Sequence, residues 1–318
     1  MRTILVTGAA GFIGSFTASA LAKRGDNVIG LDNFNDYYTV TLKRDRIQQF
    51  CKDLKIYEAD LVDLPTLEQI FSENKIDQVC HLAAQAGVGY SLKNPFAYET
   101  SNNVGTLNLF EACRKKEVKS IVFASSSSVY GNNKKIPFSV EDDVSQPISL
   151  YAATKRYNEL LAFSYHHLYG ISCTGLRFFT VYGPWGRPDM ALFKFTKAIL
   201  GDKPIDVFNH GKMKRDFTYI DDIISGILAS LDKNHPYELF NLGNSEAVEL
   251  TRFIECIEEA LGQKARKNFL PLQPGDVPET FADIEKSTQM LGFRPQVKID
   301  EGIKRFVSWY KDYYKLEA

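Results

Sequence analysis

A tyrosine and a lysine four residues apart, Tyr151 and Lys155, stand in the stretch Ser149-Leu150-Tyr151-Ala152-Ala153-Thr154-Lys155. On a helix this spacing puts the phenol and the ammonium on one face, a turn apart. A cation so placed lowers the phenol's pKa from about 10 toward the working range of a general base. The same pair is often only a solvated helix face. Its weight here comes from a run of serines, Ser125 to Ser128, and from an N-terminal loop, Gly8-Ala9-Ala10-Gly11-Phe12-Ile13-Gly14. An alcohol loses hydride more easily when its hydroxyl proton leaves at the same time. Tyr151 would take that proton, Lys155 would hold the phenolate and a nicotinamide ribose, and Ser126 would hydrogen-bond the reacting oxygen.

The glycines Gly8, Gly11 and Gly14 follow a strand pattern and open a helical one. They permit a tight turn, and the helix N-terminus then presents amide donors to a pyrophosphate. The spacing is Gly-x-x-Gly-x-x-Gly, unlike the commonest dinucleotide fingerprint, and such glycines also serve purely structural turns. Asp32 closes the second strand, 18 residues beyond Gly14. A carboxylate there accepts hydrogen bonds from an adenosine ribose and repels a 2′-phosphate, which favours NAD over NADP. Asp60, ending the third strand, either reaches the adenine or caps a turn; the two readings stay open.

These side chains need elements to position them. Strand patterns occur at Thr3 to Thr7, Asn27 to Leu31, Lys55 to Glu58, Gln78 to Leu82, Ser120 to Ala124 and Ser172 to Phe178. Amphipathic helical patterns fall between them at Ile13 to Arg24, Leu64 to Asn74, Gly105 to Lys116 and Leu150 to Tyr169. Near-continuous apolar strands separated by helices predict an α/β, doubly wound parallel sheet of the Rossmann kind. After Gly183-Pro184 the alternation breaks, and helical patterns recur at Met190 to Leu200, Ile220 to Leu231 and Leu250 to Leu261. The expected division is a nucleotide-binding domain over 1–183 plus about 217–243, where Phe240-Asn241-Leu242-Gly243 returns to the main sheet. A smaller C-terminal α/β substrate domain would take about 184–216 and 244–318.

At this point the chain resembles an extended short-chain dehydrogenase/reductase of the sugar-nucleotide epimerase/dehydratase family. The matching motifs are Thr7-Gly8 to Gly14, His81-Leu82-Ala83-Ala84, Ser125 to Gly131, Tyr151 to Lys155, Arg177-Phe178-Phe179 and Arg215-Asp216-Phe217-Thr218-Tyr219. The resemblance implies bound NAD, held by the three glycines, Phe12, Ile13, Asp32, Asn33, Asp60, Leu61, Leu82, Ala83, Ala84, Tyr151 and Lys155. It implies Ser126, Tyr151 and Lys155 as the catalytic group. In the family's 4,6-dehydratases an Asp-Glu pair matches Ser127 and Ser128, and decarboxylases of the group carry a glutamate at the position of Ser128. Two hydroxyls cannot do that acid-base work, which leaves oxidation and reduction at C4, an epimerisation.

The segment Tyr182-Gly183-Pro184-Trp185-Gly186-Arg187-Pro188-Asp189-Met190 resembles the subgroup acting on UDP-glucuronate, where the arginine matching Arg187 faces the sugar carboxylate. A guanidinium grips a carboxylate bidentately, so such a site favours UDP-glucuronate over UDP-glucose. Left unpaired by a neutral sugar, Arg187 would add a desolvation penalty, and the expected discrimination runs from ~10-fold to ~1,000-fold. Arg187 reads otherwise as a surface arginine in a Pro-Gly loop. Gln273-Pro274-Gly275-Asp276-Val277-Pro278 and Thr180 lean toward the same subgroup. By resemblance Ser127, Ser128, Thr180, Arg187, Arg215 and Asp276 bind the UDP-sugar, with Arg215 at the phosphates and Asp276 at the uridine ribose. Arg215 reads equally as a salt-bridge partner of Asp216 or Asp221.

The implied activity is therefore interconversion of UDP-glucuronate and UDP-galacturonate through a transient 4-keto sugar. A 4-epimerase of neutral UDP-hexoses or UDP-N-acetylhexosamines is the alternative, and a non-catalytic NAD-binding regulator on the same fold is less favoured. The family further implies a homodimer through the helices over Gly105 to Lys116 and Tyr151 to Tyr169. Composition restricts the partners. The net charge of −1 with no basic run argues against nucleic acid, and no apolar stretch approaches the length of a membrane span. Five scattered cysteines without a Cys-x-x-Cys suggest neither a disulfide framework nor a metal site. The start runs straight into a strand, so a cytoplasmic protein is expected. His81 reads as a satisfied core histidine, and the adjacent His166 and His167 as surface packing. Tyr37 and Tyr38 flank either the adenosine or the substrate.

Overall fold

The computed structural model describes residues 1–272 and 278–316. Its main sheet is built from β1 (Thr3–Thr7), β2 (Asn27–Asp32), β3 (Lys55–Glu58), β4 (Gln78–His81), β5 (Ser120–Ser126) and β6 (Ser172–Phe178), with a seventh strand added from far along the chain. Ile4, Leu5 and Val6 of β1 and Ile121, Val122 and Phe123 of β5 are fully or almost fully buried. Such apolar runs fit strands covered on both faces. The crossovers are α1 (Phe12–Lys23), α2 (Val40–Phe50), α3 (Leu64–Glu73), short α4 (Val88–Ser91) and α5 (Pro95–Tyr98), α6 (Gly105–Lys115) and α7 (Leu150–Tyr169). A π-helical turn, Glu99–Val104, leads into α6. The 20-residue α7 is stopped at both ends: Ser149 accepts from the Ala152 amide, and Gly170 closes it in the left-handed conformation.

The next elements are β7 (Thr180–Tyr182), α8 (Ala191–Leu200), β8 (Ile205–Val207), β9 (Lys214–Tyr219), α9 (Ile220–Lys233) and β10 (Tyr237–Leu242). They are followed by β11 (Ala247–Glu249), α10 (Leu250–Leu261), β12 (Lys267–Phe269), β13 (Glu279–Thr280), α11 (Glu285–Leu291) and α12 (Ile299–Tyr314). The main sheet has the order β10-β6-β5-β4-β1-β2-β3, all parallel, with β10 returning beside β6 as the Phe240–Gly243 pattern predicts. Around β9 a smaller sheet collects β7, β11 and β13, and β8 pairs with β12. Helix α2 was not marked by the hydrophobic pattern: only Leu42, Lys43 and Arg46 on it are buried, and two of those three are cations.

Two apolar layers enclose the main sheet. One joins β4 and β5 to α3, α6 and α7 through Leu67, Phe71, Leu109, Phe110 and Phe123. The other runs without a break from Ile4, Val6 and Phe12 through Ile223 and Ile227 to Phe193, Phe253 and Phe306. The C-terminal helices therefore share a core with the main sheet, and the loops after β6 and β7 are anchored against the strand ends.

Candidate active site

The carboxyl ends of the parallel strands border a cavity of about 420 Å³, where ligands of open α/β sheets bind. Gly8, Gly11, Phe12, Ile13 and Gly14 line it after β1, and Asp32 and Asn33 after β2. Asp60 and Leu61 follow β3, Leu82 to Ala84 follow β4, and Ser126 to Ser128 follow β5. Tyr151, Lys155, Thr180 and Arg187 complete the wall. One envelope thus gathers residues spread from position 8 to position 190.

The cofactor end is built by close approach. A Cβ on Gly14 would lie 1.9 Å from the Gly8 carbonyl oxygen, so the turn closes only with glycine there. Both Asp32 oxygens are anchored, Oδ2 by the Ala10 amide at 3.0 Å and Oδ1 by the Phe34 amide at 2.8 Å. The fixed carboxylate keeps lone pairs for ribose hydroxyls, and burial raises its pKa against those hydrogen bonds. Asp60 is a turn former, accepting from the Val62 amide, and also accepts from the Asn33 side chain while lining the cavity. These features fit a dinucleotide bound along the glycine turn.

The three side chains expected to do the chemistry, Ser126, Tyr151 and Lys155, all line this cavity. Lys155 Nζ donates to the Ala124 carbonyl at 2.8 Å, near the end of β5. Burial pulls Lys155 down to about 8, opposed by the nearby Glu159 carboxylate. Burial pushes the Tyr151 phenol above its ordinary value, and the Ser126 hydroxyl and the positive Arg187 pull it back. Arg187 lies on a loop 36 residues away in sequence, and no periodicity of α7 could have indicated its pull on the phenol. Ser126 itself is set by Ser128, whose amide donates to Ser126 Oγ at 3.1 Å. Ser125 lies behind, donating to Glu159 at 2.7 Å. Glu159 is fully buried and bridged by Arg177, with Nε–Oε1 at 2.8 Å and Nη2–Oε2 at 3.0 Å, which pins α7 to β6.

Arg187 is neither a loose surface arginine nor unpaired. Its Nε donates to Asp189 Oδ1 at 3.0 Å and its Nη2 to Asp189 Oδ2, while the Tyr37 hydroxyl donates to the same Oδ2 at 3.2 Å. Gly87, at φ +106, keeps this corner open: a Cβ there would come to 3.3 Å from the Tyr37 hydroxyl and 3.7 Å from Arg187 Nη2. Tyr98 is buried against Tyr151, edge-on with ring centroids 6.0 Å apart. The loop carrying Arg187 is held by Arg46 of α2, fully buried, which donates to the carbonyls of Trp185, Gly186 and Ala10 and to the Tyr38 hydroxyl. Arg46 therefore ties the glycine turn to the arginine loop.

Arg215 lies off the cavity wall on β9, and its Nη1 donates to the carbonyls of Lys214 and Pro278. Neither suggested acid is the partner that these bonds show: Asp216 accepts from Thr218, Asn244, Ser245 and Ala282, and Asp221 faces Arg305 at 3.7 Å. Gln273 to Val277, with Asp276, fall outside the described residues. Among the described residues no group of His, Cys, Asp and Glu could hold a metal ion, and no helix is long and apolar enough to cross a membrane. All five cysteines are free and buried.

The model of the NAD dependent epimerase/dehydratase family matches residues 4–243. The chain belongs to that family. It is 50% identical to UDP-glucuronate 4-epimerase 4 of Arabidopsis thaliana over 331 aligned positions, covering 98% of this chain and 76% of that one. It is likewise 50% identical to Protein CapI of Staphylococcus aureus, covering 98% and 99%. A solved UDP-glucuronic acid 4-epimerase from Bacillus cereus, in complex with UDP-glucuronic acid and NAD, superposes with a TM-score of 0.91 at 38% identity, covering 98% of this chain and all of the other.

Against this epimerase background, most of the residues that sequence reasoning missed act through partners remote in the chain. Asn102, on the π-helical turn, clamps the backbone of Gln85, accepting from its amide at 2.8 Å and donating to its carbonyl at 3.0 Å. Tyr98 hangs from the carbonyls of Ala86 and Gly87. Arg46 reaches Ala10 and Trp185 from a helix with little apolar pattern. Asp189 had a visible signal, since it stands two residues after Arg187 in the quoted loop.

Proposed function

We propose that this epimerase interconverts UDP-glucuronate and UDP-galacturonate at C4 of the sugar. The observation that carries this reading is the outer edge of Arg187. Asp189 occupies Nε and Nη2, while Nη1 has no hydrogen bond among the described residues and the side chain lines the same cavity as Tyr151. A guanidinium with a free edge beside the reacting centre suits the C6 carboxylate of a uronate.

Bound NAD supplies the hydride acceptor and then the hydride donor at C4. Tyr151 removes the C4 hydroxyl proton and later returns it, with Ser126 hydrogen-bonding the same oxygen. Lys155, held by the Ala124 carbonyl, supplies positive charge where the phenolate forms. Asp32 and the glycine turn hold the adenosine and pyrophosphate. Ser127, Ser128 and Thr180 line the sugar end, and Arg215 and Asp276 take the nucleotide. The keto sugar is a β-keto acid, prone to losing carbon dioxide. Hydroxyls at Ser127 and Ser128 offer no acid to promote that loss, and Arg187 keeps the carboxylate ionised and bound.

Proton NMR of the purified protein with UDP-glucuronate and no added NAD tests the proposal. UDP-galacturonate should accumulate to an equilibrium mixture, with no solvent deuterium at C4 when the reaction runs in deuterated water. A UDP-pentose as main product, or turnover of UDP-glucose alone, would overturn it.

We infer in addition a homodimer through α6 and α7. Leu107, Leu160 and Phe163 project from these helices at 37%, 53% and 52% exposure, an apolar face that a second copy would cover.

A further inference from the structure

We propose that Asp189 is the residue that sets how strictly the site demands an anionic sugar, through its pairing with Arg187. The inference rests on the reading of Arg187 as the receptor of the uronate carboxylate.

A guanidinium has two edges that each match a carboxylate. Asp189 takes the inner edge with a two-pronged pair, and the Tyr37 hydroxyl fixes the same carboxylate from the other side. Tyr37 is in turn packed on Tyr90, with ring centroids 4.7 Å apart, and Tyr90 on Tyr98. The inner edge is thus held by a wall of aromatic rings, and the outer edge is presented to the cavity. Arg187 and Asp189 are each 22% exposed, so this is a mostly desolvated pair and not a solvent-screened one.

The consequence is electrostatic. Were Arg187 alone, closing the site over a neutral sugar would leave a desolvated cation without a partner, and neutral UDP-hexoses would be rejected by that penalty. Asp189 compensates the charge before any substrate arrives. A neutral sugar then meets a neutral pair, while a uronate still finds the outer edge and its share of positive charge. Asp189 therefore relaxes the discrimination that Arg187 creates. It is a positioning residue: it acts on the sugar only through Arg187.

The test is a binding cycle on the protein with its NAD retained. Calorimetric affinities for UDP-glucuronate, UDP-glucose and UDP alone are measured in the parent, Asp189→Asn, Arg187→Ala and the double variant. Asp189→Asn keeps the shape and removes the charge. It should raise the glucuronate-to-glucose affinity ratio about 10-fold or more, chiefly by weakening UDP-glucose, with UDP unchanged. In the Arg187→Ala background the same substitution should leave the ratio within 2-fold. Tyr37→Phe, which removes a hydrogen bond without changing charge, should move the ratio by less than about 3-fold and guards against a misfolded Asp189 variant. A ratio that is unchanged or lower in Asp189→Asn overturns the proposal, since Asp189 would then only orient the arginine. If Arg187→Ala itself leaves the ratio unchanged, the carboxylate assignment of Arg187 fails instead, a distinguishable result.

Discussion

Tyr151 meets the proton-transfer role in a site that raises its pKa, so the side chains that pull the phenol back toward neutrality, Ser126 and Arg187, matter to catalysis as well as to binding. Tyr151→Phe keeps the ring against Tyr98 and removes the proton acceptor. The turnover number should fall ~100-fold or more, with substrate affinity little changed; near-parent turnover by NMR would take Tyr151 out of the mechanism. Arg187→Ala should erase most of the preference for UDP-glucuronate over UDP-glucose. Because Asp189 already pairs with Arg187, the unpaired-cation penalty expected from sequence is not incurred. The discrimination should then lie at ~10- to ~100-fold in kcat/KM, as one charge-assisted interaction of about 1.5–3 kcal/mol gives. Arg187→Lys should rescue only part of it, for want of the second prong.

At the scale of elements, α7 has two faces with two tasks. Its inner face carries Tyr151, Lys155 and Glu159, each tied to a strand end or to the cavity. Its outer face carries Leu160 and Phe163 into solvent, and Leu107 of α6 is exposed too. Leu160→Glu combined with Phe163→Glu should convert a dimer to a monomer at micromolar concentration, measured by light scattering. A parent protein that is already monomeric would refute the helical interface. The same helix leans on Asn102, which donates to Thr154 at 2.9 Å and whose carbonyl accepts from Asn158 at 2.8 Å. The wide π-helical turn brings that residue within reach of both α7 and Gln85.

For the whole molecule, the buried His81 couples the core to pH. Thr7 and Thr106 flank its ring nitrogens at 2.7 and 3.0 Å, and burial, aided by the Lys155 charge, pulls its pKa down to about 3. Above pH 6.5 the ring is neutral in both folded and unfolded chains, and its contribution is fully present. As pH falls from 6.5 toward 3 the unfolded chain gains a proton that the folded one refuses. Stability should therefore drop with pH in that window, by up to about 1.4 kcal/mol per unit from this group. Denaturant unfolding at pH 7 and pH 4.5 should show a smaller loss in His81→Asn than in the parent. An equal loss in both would mean that His81 does not carry the acid sensitivity.

The local sequence determined the parallel sheet, the glycine turn, Asp32, the serine run and the Tyr151–Lys155 pair, because each is a short-range pattern. Buried strands read as apolar runs, glycines mark a turn no other residue closes, and a four-residue step on a helix keeps two side chains on one face. His81 and the return of Phe240 to the main sheet were legible for the same reason. What the tertiary structure decided is which charges face one another. Lys155 reaches a carbonyl of β5; Arg187, on a distant loop, pulls on the Tyr151 phenol and is braced through that loop by Arg46; Arg215 turns to backbone carbonyls and not to either neighbouring acid. Coulombic and hydrogen-bond partners are set by distance in space between elements far apart in the chain, and no periodicity records that distance.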